Sequence, residues 1–501
     1  MKPKSRKLSI LLIVLIFVIG SFIILNHGNL WNTNTNNLTQ DEKITKLKIS
    51  GTYENITINN LPGSWNNWTW AKNQVWCSGL GTLQNPYIIQ DHIIGIKNSA
   101  DGIKISNSHG MYFIIESCTI LWNGTMPTGT EKGIHLSNST NGIINNNVIY
   151  GIGSGVNVDE CESMLLKSNT VYNSMGGIAL FRSDFCKIMN NTIFNTENGI
   201  NLFDSEYNTV NNNTANSNEY GLYVTYGFYN NIHENILDNN NIAGVHLAFC
   251  EYNNITENEA HGNIDGIFLE SECDKNLIID NICNNNDIGI EIYYSDHNDV
   301  EENYANNNYD YGIRVEGSNN NTINGNDIKN NSIYGMIIEV HSDNNTIYRN
   351  SINDNADAGI FMTHSEINNI IGNTMDGNGY GIHLDIECYN NSIYENLFLK
   401  NGIHAIDNGI DNKWNSSTIG NYWDNHTGPD NNNDGIVDIP YTNIRGSADS
   451  IDYLPISEEE IIISRGLDPG LITIIVILSI AGAVIAIGSA YIVLKERRLL
   501  G

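Results

Sequence analysis

Five charged side chains, Glu270, Glu291, Arg314, Glu316 and Glu339, recur at intervals near one another in the middle of the chain. Five aromatic residues, Phe181, Phe203, Tyr223, Phe268 and Tyr293, precede and interleave them. Aromatic rings on a surface are apolar platforms for sugar rings, and carboxylates accept hydrogen bonds from sugar hydroxyls. Carboxyl pairs about 5 to 5.5 Å apart hydrolyse glycosidic bonds with retention, and pairs about 6.5 to 9.5 Å apart with inversion. Glu270 with Glu291, and Glu316 with Glu339, are the candidate catalytic pairs. Arg314 is the one cation among them, placed to orient an acid or steady a charge. A lyase asks for more cationic help, so hydrolysis is favoured over elimination. The plain alternative is a solvated face kept charged for solubility.

A second constellation is Asp430, Asn432, Asp434, Ile436 and Asp438. Oxygen ligands at positions 1, 3, 5 and 9, a carbonyl at 7 and a glycine at 6 (Gly435) follow the order of a calcium loop. Tyr441 stands at position 12 in place of the usual Glu, so Asp424, Asp449 or Asp452 has to complete the shell. Structural Ca2+ is the expected cofactor, with no organic cofactor; an Asn/Asp/Gly surface turn is the alternative. His341, His364, His383 and His404 fall on successive repeats, but only His383 and His404 share a repeat position. No His-x-His, Cys-x-x-Cys or Met-rich segment accompanies them, which disfavours a copper or zinc surface.

The elements that must position these residues are set by a repeat. Asn147, Asn169, Asn191, Asn213, Asn235, Asn258, Asn281, Asn303, Asn326, Asn350, Asn373 and Asn396 recur every 22 to 24 residues. A second phrase, Gly-aliphatic-x-aliphatic, starts at Gly177, Gly199, Gly221, Gly266 and Gly312 among others. Its alternation is that of a strand, with Ile178 and Leu180 or Ile313 and Val315 facing inward. Short strands and turns in about 23 residues leave no room for a helix. The fold class is therefore all-β: a right-handed parallel β-helix solenoid of about 12–14 coils. Stacking places each ladder Asn over the next, where amides bond in a column. A leucine-rich repeat needs Leu-x-Leu and Asn within one phrase, and here they are separate. The repeats should occupy 97–410, with an N-terminal cap over 44–96, rich in Trp, and a C-terminal cap over 411–456 holding the calcium-like loop.

The chain ends suggest export. Lys2, Lys4, Arg6 and Lys7 precede an apolar stretch, so 1–25 reads as a signal peptide or signal anchor, followed by a linker over 26–43. After a linker over 457–470, the uncharged run 471–494 is long enough for a transmembrane helix, and Lys495, Arg497 and Arg498 make 495–501 a cytoplasmic tail. The solenoid is then expected on the extracellular side of the cell membrane. The net charge is −31, and it grows more negative once those basic flanks are set aside. Nucleic acid is excluded as a partner, and an anionic glycan is disfavoured unless cations bridge it. The eight cysteines are scattered through the repeat. Cys250 and Cys273, one repeat apart, are the pair that a disulfide could join, while Cys118 reads as a buried substitute at a ladder position.

Residues 75–456 resemble the NosD-like β-helix proteins, whose pectin-lyase-like repeat is also described as a carbohydrate-binding and sugar-hydrolysis module. The opening motif is Gly79-Leu80-Gly81-Thr82-Leu83-Gln84-Asn85-Pro86-Tyr87-Ile88-Ile89. The closing motif is Gly420-Asn421-Tyr422-Trp423-Asp424, continuing through Pro440-Tyr441 and Asp452-Tyr453-Leu454-Pro455. The resemblance implies an exported β-helix, with roles from glycan processing to support of copper-site assembly, and fold does not choose among them. The expectation is a membrane-anchored extracellular protein that binds polysaccharide or surface glycan. A glycoside hydrolase, a structural rod or adhesin, and a copper-site accessory protein are the alternatives.

Overall fold

The computed structural model describes residues 51–97, 100–124 and 129–458. The expected signal segment 1–25 and transmembrane run 471–494 lie outside them. Among the described residues no helix is long and apolar enough to cross a membrane.

Most coils contribute one strand to each of three parallel sheets. The long sheet has 15 strands, from Ile56–Asn59 to Ile403–Asp407, and carries the Gly-aliphatic phrase. The second has 14, from Tyr87–Gln90 to Ser392–Tyr394, and precedes the ladder Asn. The third follows that Asn and comprises segments of 7 and 5 strands. Single parallel bridges at Ile236, Glu259, Ile282 and Tyr304 connect those segments. The winding is a right-handed solenoid of about 14 turns, the hand that parallel crossovers almost always take.

The period-two pattern explains the core. Ile178, Leu180, Ile267, Leu269, Ile313 and Val315 are all fully buried, joined by Ile188 and Ile193 from the other two sheets. Each such side chain contributes about 1.5–3 kcal/mol of burial. The recurring glycine answers to close approach: a Cβ on Gly289 would sit 2.5 Å from the Gly312 carbonyl oxygen of the next coil.

The ladder forms as expected, beginning with Cys118, whose N–H donates to Asn147 Oδ1. Asn303 shows its chemistry. Its Oδ1 accepts from the Asn281 backbone N (2.9 Å) and Nδ2 (3.0 Å), and its Nδ2 donates to Ile278 O (2.8 Å) and Asn326 Oδ1 (3.0 Å). The preceding residue turns the chain through the left-handed region, as at Asn146, Asn190 and Glu234 with φ of 53°, 56° and 55°. Two further asparagine ladders run beside it. Asn208 to Asn412 line one corner, with Asn253 Nδ2 to Asn276 Oδ1 at 3.1 Å, and Asn218 to Asn401 line another, with Asn355 Nδ2 to Asn378 Oδ1 at 2.9 Å. Their signal was present in the sequence as Asn-x4-Asn-x4-Asn, for example Asn276, Asn281 and Asn286.

Both expected caps contain solenoid. Gly51–Tyr53 pairs with His92–Ile96 and Ile56–Asn59 with Ile103–Ser106, so the first coil begins within 44–96. The short helix Trp68–Ala71 plugs its end, with Trp68 stacked on Tyr87 at 4.4 Å and its Nε1 donating to Ser108 Oγ. At the other end Tyr422–Trp423 extends the third sheet, and Trp423 stacks between Phe398 (4.3 Å) and Tyr441 (4.0 Å). The eight cysteines are all free and buried, Cys250 and Cys273 included. The Cys250 N–H donates to Cys273 Sγ instead.

Candidate functional site

On the outer surface of the long sheet the strand register sorts side chains into columns. One column runs Tyr223, His246, Phe268, Glu291, Arg314. Another runs Glu270, Tyr293, Glu316, Glu339. Phe181 and Phe203 are register partners with rings 5.6 Å apart, while Tyr223, His246 and Phe268 follow one another at 4.9 and 4.7 Å. All ten charged and aromatic positions predicted from the sequence lie on this sheet, and the five of the calcium loop lie in the C-terminal cap.

Arg314 gathers the charges. Its Nη1 binds Glu291 Oε1 at 2.8 Å, its Nε and Nη2 bind Glu339 Oε1 at 2.9 Å, and Nη2 also binds Glu316. These carboxylates hold the guanidinium proton more firmly than usual despite the cost of burial. Glu316 and Glu339 are direct neighbours joined through this cation. Glu270 and Glu291 fall in different columns, because Phe268 is the register partner of Glu291 and Tyr293 that of Glu270. Glu270 pairs instead with His246 Nε2 at 2.9 Å. Burial lowers the His246 pKa although Glu270 pulls the other way.

Asp265 was not singled out from the sequence. It opens the strand Asp265–Glu270 and, like Glu291, is 6 % exposed. Burial, followed by the negative charge of Glu291, pushes its carboxyl up to about 8. Burial also raises Glu291, against the pull of Arg314. The two acids on neighbouring coils thus hold a proton at neutral pH, as closely spaced carboxyls do. Reading the residue before each phrase glycine would have exposed Asp265, since the neighbouring coils carry Ala243, Ile288 and Tyr311 there.

The corner between the long and second sheets carries aromatics that sequence reasoning also missed. Phe185, Tyr207, Tyr229 and Tyr252 form a column of parallel rings, each about half exposed, with centroids 5.3, 5.0 and 5.1 Å apart. Lys275 Nζ caps it, 5.0 Å from the Tyr252 centroid. Tyr immediately before a second-ladder Asn, as in Tyr207-Asn208, was its signal.

In the expected calcium loop, Asp430 accepts from the Asp434 N–H (Oδ1, 3.2 Å) and the Gly435 N–H (Oδ2, 3.0 Å). Asn432 Oδ1 accepts from Asp434 N, and Asp438 Oδ2 from Asn431 N at 2.9 Å. Ile436 N donates to Asp434 Oδ1. The backbone wraps around the carboxylates, with Gly435 at φ 87°. The side chains of Asn432, Asp434 and Asp438 remain exposed. The histidine reading needs one correction. His383 is in register with Ile406, so His404 occupies a different position; it is buried and bound to Asp424 at 2.8 Å. The cause is a register offset in the last strand, where His404 takes the place of the phrase glycine.

This geometry agrees with two family profiles. Residues 244–428 match the family described as periplasmic copper-binding protein (NosD), and segments 50–194, 101–251 and 132–283 match the right handed beta helix region. Together these matches support a NosD-like right-handed β-helix family for the chain. No curated protein matches it. Among solved structures, the chain is similar to the periplasmic alginate epimerase AlgG at 15% identity, covering 61% of this chain and 84% of that one with a TM-score of 0.40, and to a double mutant of it at 16% identity, covering 62% and 85% with a TM-score of 0.43. The A-module of the Azotobacter vinelandii mannuronan C-5 epimerase AlgE4 shares 15% identity over 59% of this chain and 86% of that one, with a TM-score of 0.37. The tailspike of Escherichia coli bacteriophage HK620 shares 12% over 62% and 63%, with a TM-score of 0.36.

Proposed function

We propose that the protein binds polysaccharide along the outer face of the long sheet, centred on the coils from Asp265 to Glu339. The observation that supports this most is the Arg314 node. One guanidinium fixes Glu291, Glu316 and Glu339 beside Phe268 and Tyr293. Carboxylates held rigidly lose little side-chain freedom on accepting sugar hydroxyls, and the adjacent rings offer apolar contact. Under this reading the segment 471–494 anchors the protein in the cell membrane with the solenoid outside, and the 430–438 loop takes structural Ca2+. The loop's oxygens, gathered by backbone N–H groups, support the metal reading.

Glycan-array binding by the purified protein tests the proposal. Tyr293→Ala and Arg314→Met should each weaken capture at least tenfold with circular dichroism unchanged, and absence of binding to every glycan sinks the reading. An enzymatic version would use Asp265, whose carboxyl burial and Glu291 push up, as the proton source beside Glu291. Release of reducing ends by the wild type but not by Glu291→Gln or Glu316→Gln would establish a glycoside hydrolase.

A further inference from the structure

A cleft of about 600 Å³ opens where the second sheet meets the C-terminal cap, away from the long sheet and its Arg314 node. That volume falls in the range of small-molecule sites. Its lining includes Asn369, Ser392, Tyr394, Lys413, Asn415 and Tyr453.

The walls differ from the aromatic columns elsewhere. In the Phe185 to Tyr252 column each ring face is covered by the next ring, so the column presents ring edges to solvent. Neither Tyr394 nor Tyr453 contacts another ring among the described residues, and Tyr453 is 61 % exposed. Tyr453 therefore offers an exposed ring to a ligand, with the half-buried Tyr394 beside it in the lining. The cap wall is firm: the Tyr453 N–H donates to Asn415 Oδ1 at 3.1 Å, and Ser416 Oγ accepts from the Thr418 and Ile419 N–H groups at 3.2 and 3.0 Å.

Leading into the cleft, Thr322, Thr346, Asn369 and Ser392 form one in-register column of uncharged hydrogen-bonding side chains, and Lys413 bridges to Ser392 at its end. The Lys413 ammonium has no ion-pair partner among the described residues, unlike Lys97, Lys132, Lys275, Lys329 and Lys400. In a chain of net charge −31 a polyanion is repelled along its length, whereas a single negative group can be accepted at one unpaired ammonium.

We propose that this cleft binds a carboxylate-bearing sugar unit of an otherwise uncharged glycan, with the ring against Tyr453 and Tyr394 and the carboxylate on Lys413. The neighbouring uncharged units then lie along the Thr322 to Ser392 column. The site uses none of the residues of the long-sheet face, so the two readings stand or fall separately.

Ligand-observed NMR titration of the full-length protein with glucuronic acid and with glucose tests it. Glucuronate should bind more tightly than glucose, Tyr453→Ala should weaken glucuronate about tenfold or more, and Lys413→Met should abolish the preference while leaving glucose unchanged. Both substituted side chains are exposed, so the fold is retained, which circular dichroism checks. Absence of glucuronate binding, or binding unchanged by Tyr453→Ala, overturns the cleft. A preference that survives in Lys413→Met overturns the choice of an acidic sugar. Arg314→Met should leave this titration unchanged, so that loss of polysaccharide capture in that variant reports on the long-sheet face alone.

Discussion

Replacing Asp265 by Asn should flatten the dependence of stability on pH between about 5 and 8. In the folded chain burial and Glu291 raise Asp265 from 3.8 to about 8. Across that interval the folded state keeps a proton that the unfolded chain has released. The stabilisation this proton gives is fully present below the unfolded value and is lost as pH rises through the folded one. With one proton bound in excess, stability falls by about 1.4 kcal/mol per pH unit, or about 4 kcal/mol from pH 5 to 8. Unfolding entropy near 2.1 cal/mol/K per residue over roughly 400 residues makes this about 1.5 °C per pH unit in Tm, close to 5 °C over the interval. Differential scanning calorimetry at pH 5, 6, 7 and 8 on wild type and Asp265→Asn supplies the double difference. His135, whose pKa its hydrogen bonds to Asp101 and Asp159 raise against burial, titrates in both proteins and cancels. The variant should gain on the wild type steadily as pH rises. Parallel curves would refute the shared-proton reasoning, and with it the acid assigned to the hydrolase version of the site.

Three other outcomes follow from the same geometry. Asn303→Ala strands buried donors and acceptors on both neighbouring coils, so a loss of about 4 kcal/mol is expected in denaturant unfolding, and a loss under 1 kcal/mol would show that the ladder is ornamental to stability. The thiols of Cys118, Cys161, Cys186 and Cys388 are buried and pushed up to about 12, so iodoacetamide at pH 8 should leave them unmodified in the native protein and label them in denaturant, as read by mass spectrometry. If the 430–438 loop holds Ca2+, chelation should lower Tm by several degrees and Asp430→Ala should remove that response; an unchanged Tm counts against the metal.

Much of the fold was legible because a solenoid repeats one local decision many times. The ladder Asn, the period-two phrase and the glycine each mark one position on the coil, and agreement over a dozen coils makes the register firm. The two extra ladders were less legible because the five-residue offset that joins Asn276, Asn281 and Asn286 lies among other turn asparagines such as Asn284 and Asn285. The cap boundaries were less legible: Ile56–Asn59 lacks the Gly phrase, and Tyr422–Trp423 follows Asn421, which continues the ladder from Asn396 at a spacing of 25 residues, outside the 22 to 24 of the other coils.

The candidate site divides along the same line. Spacing alone put Glu316 over Glu339 and Phe181 over Phe203, since residues at one repeat position must share a column when coils stack in register. Contacts that cross columns depended on side-chain reach, turn length and local burial, none of which the period encodes. Hence Arg314 binding three carboxylates, Glu270 turning to His246, and Asp265 keeping a proton beside Glu291 emerged only from the tertiary structure. By itself the sequence determined the β-helix and the columns on its faces. The folded chain decided which charges meet, because partners 23 to 25 residues apart are selected by distances of a few ångströms between coils.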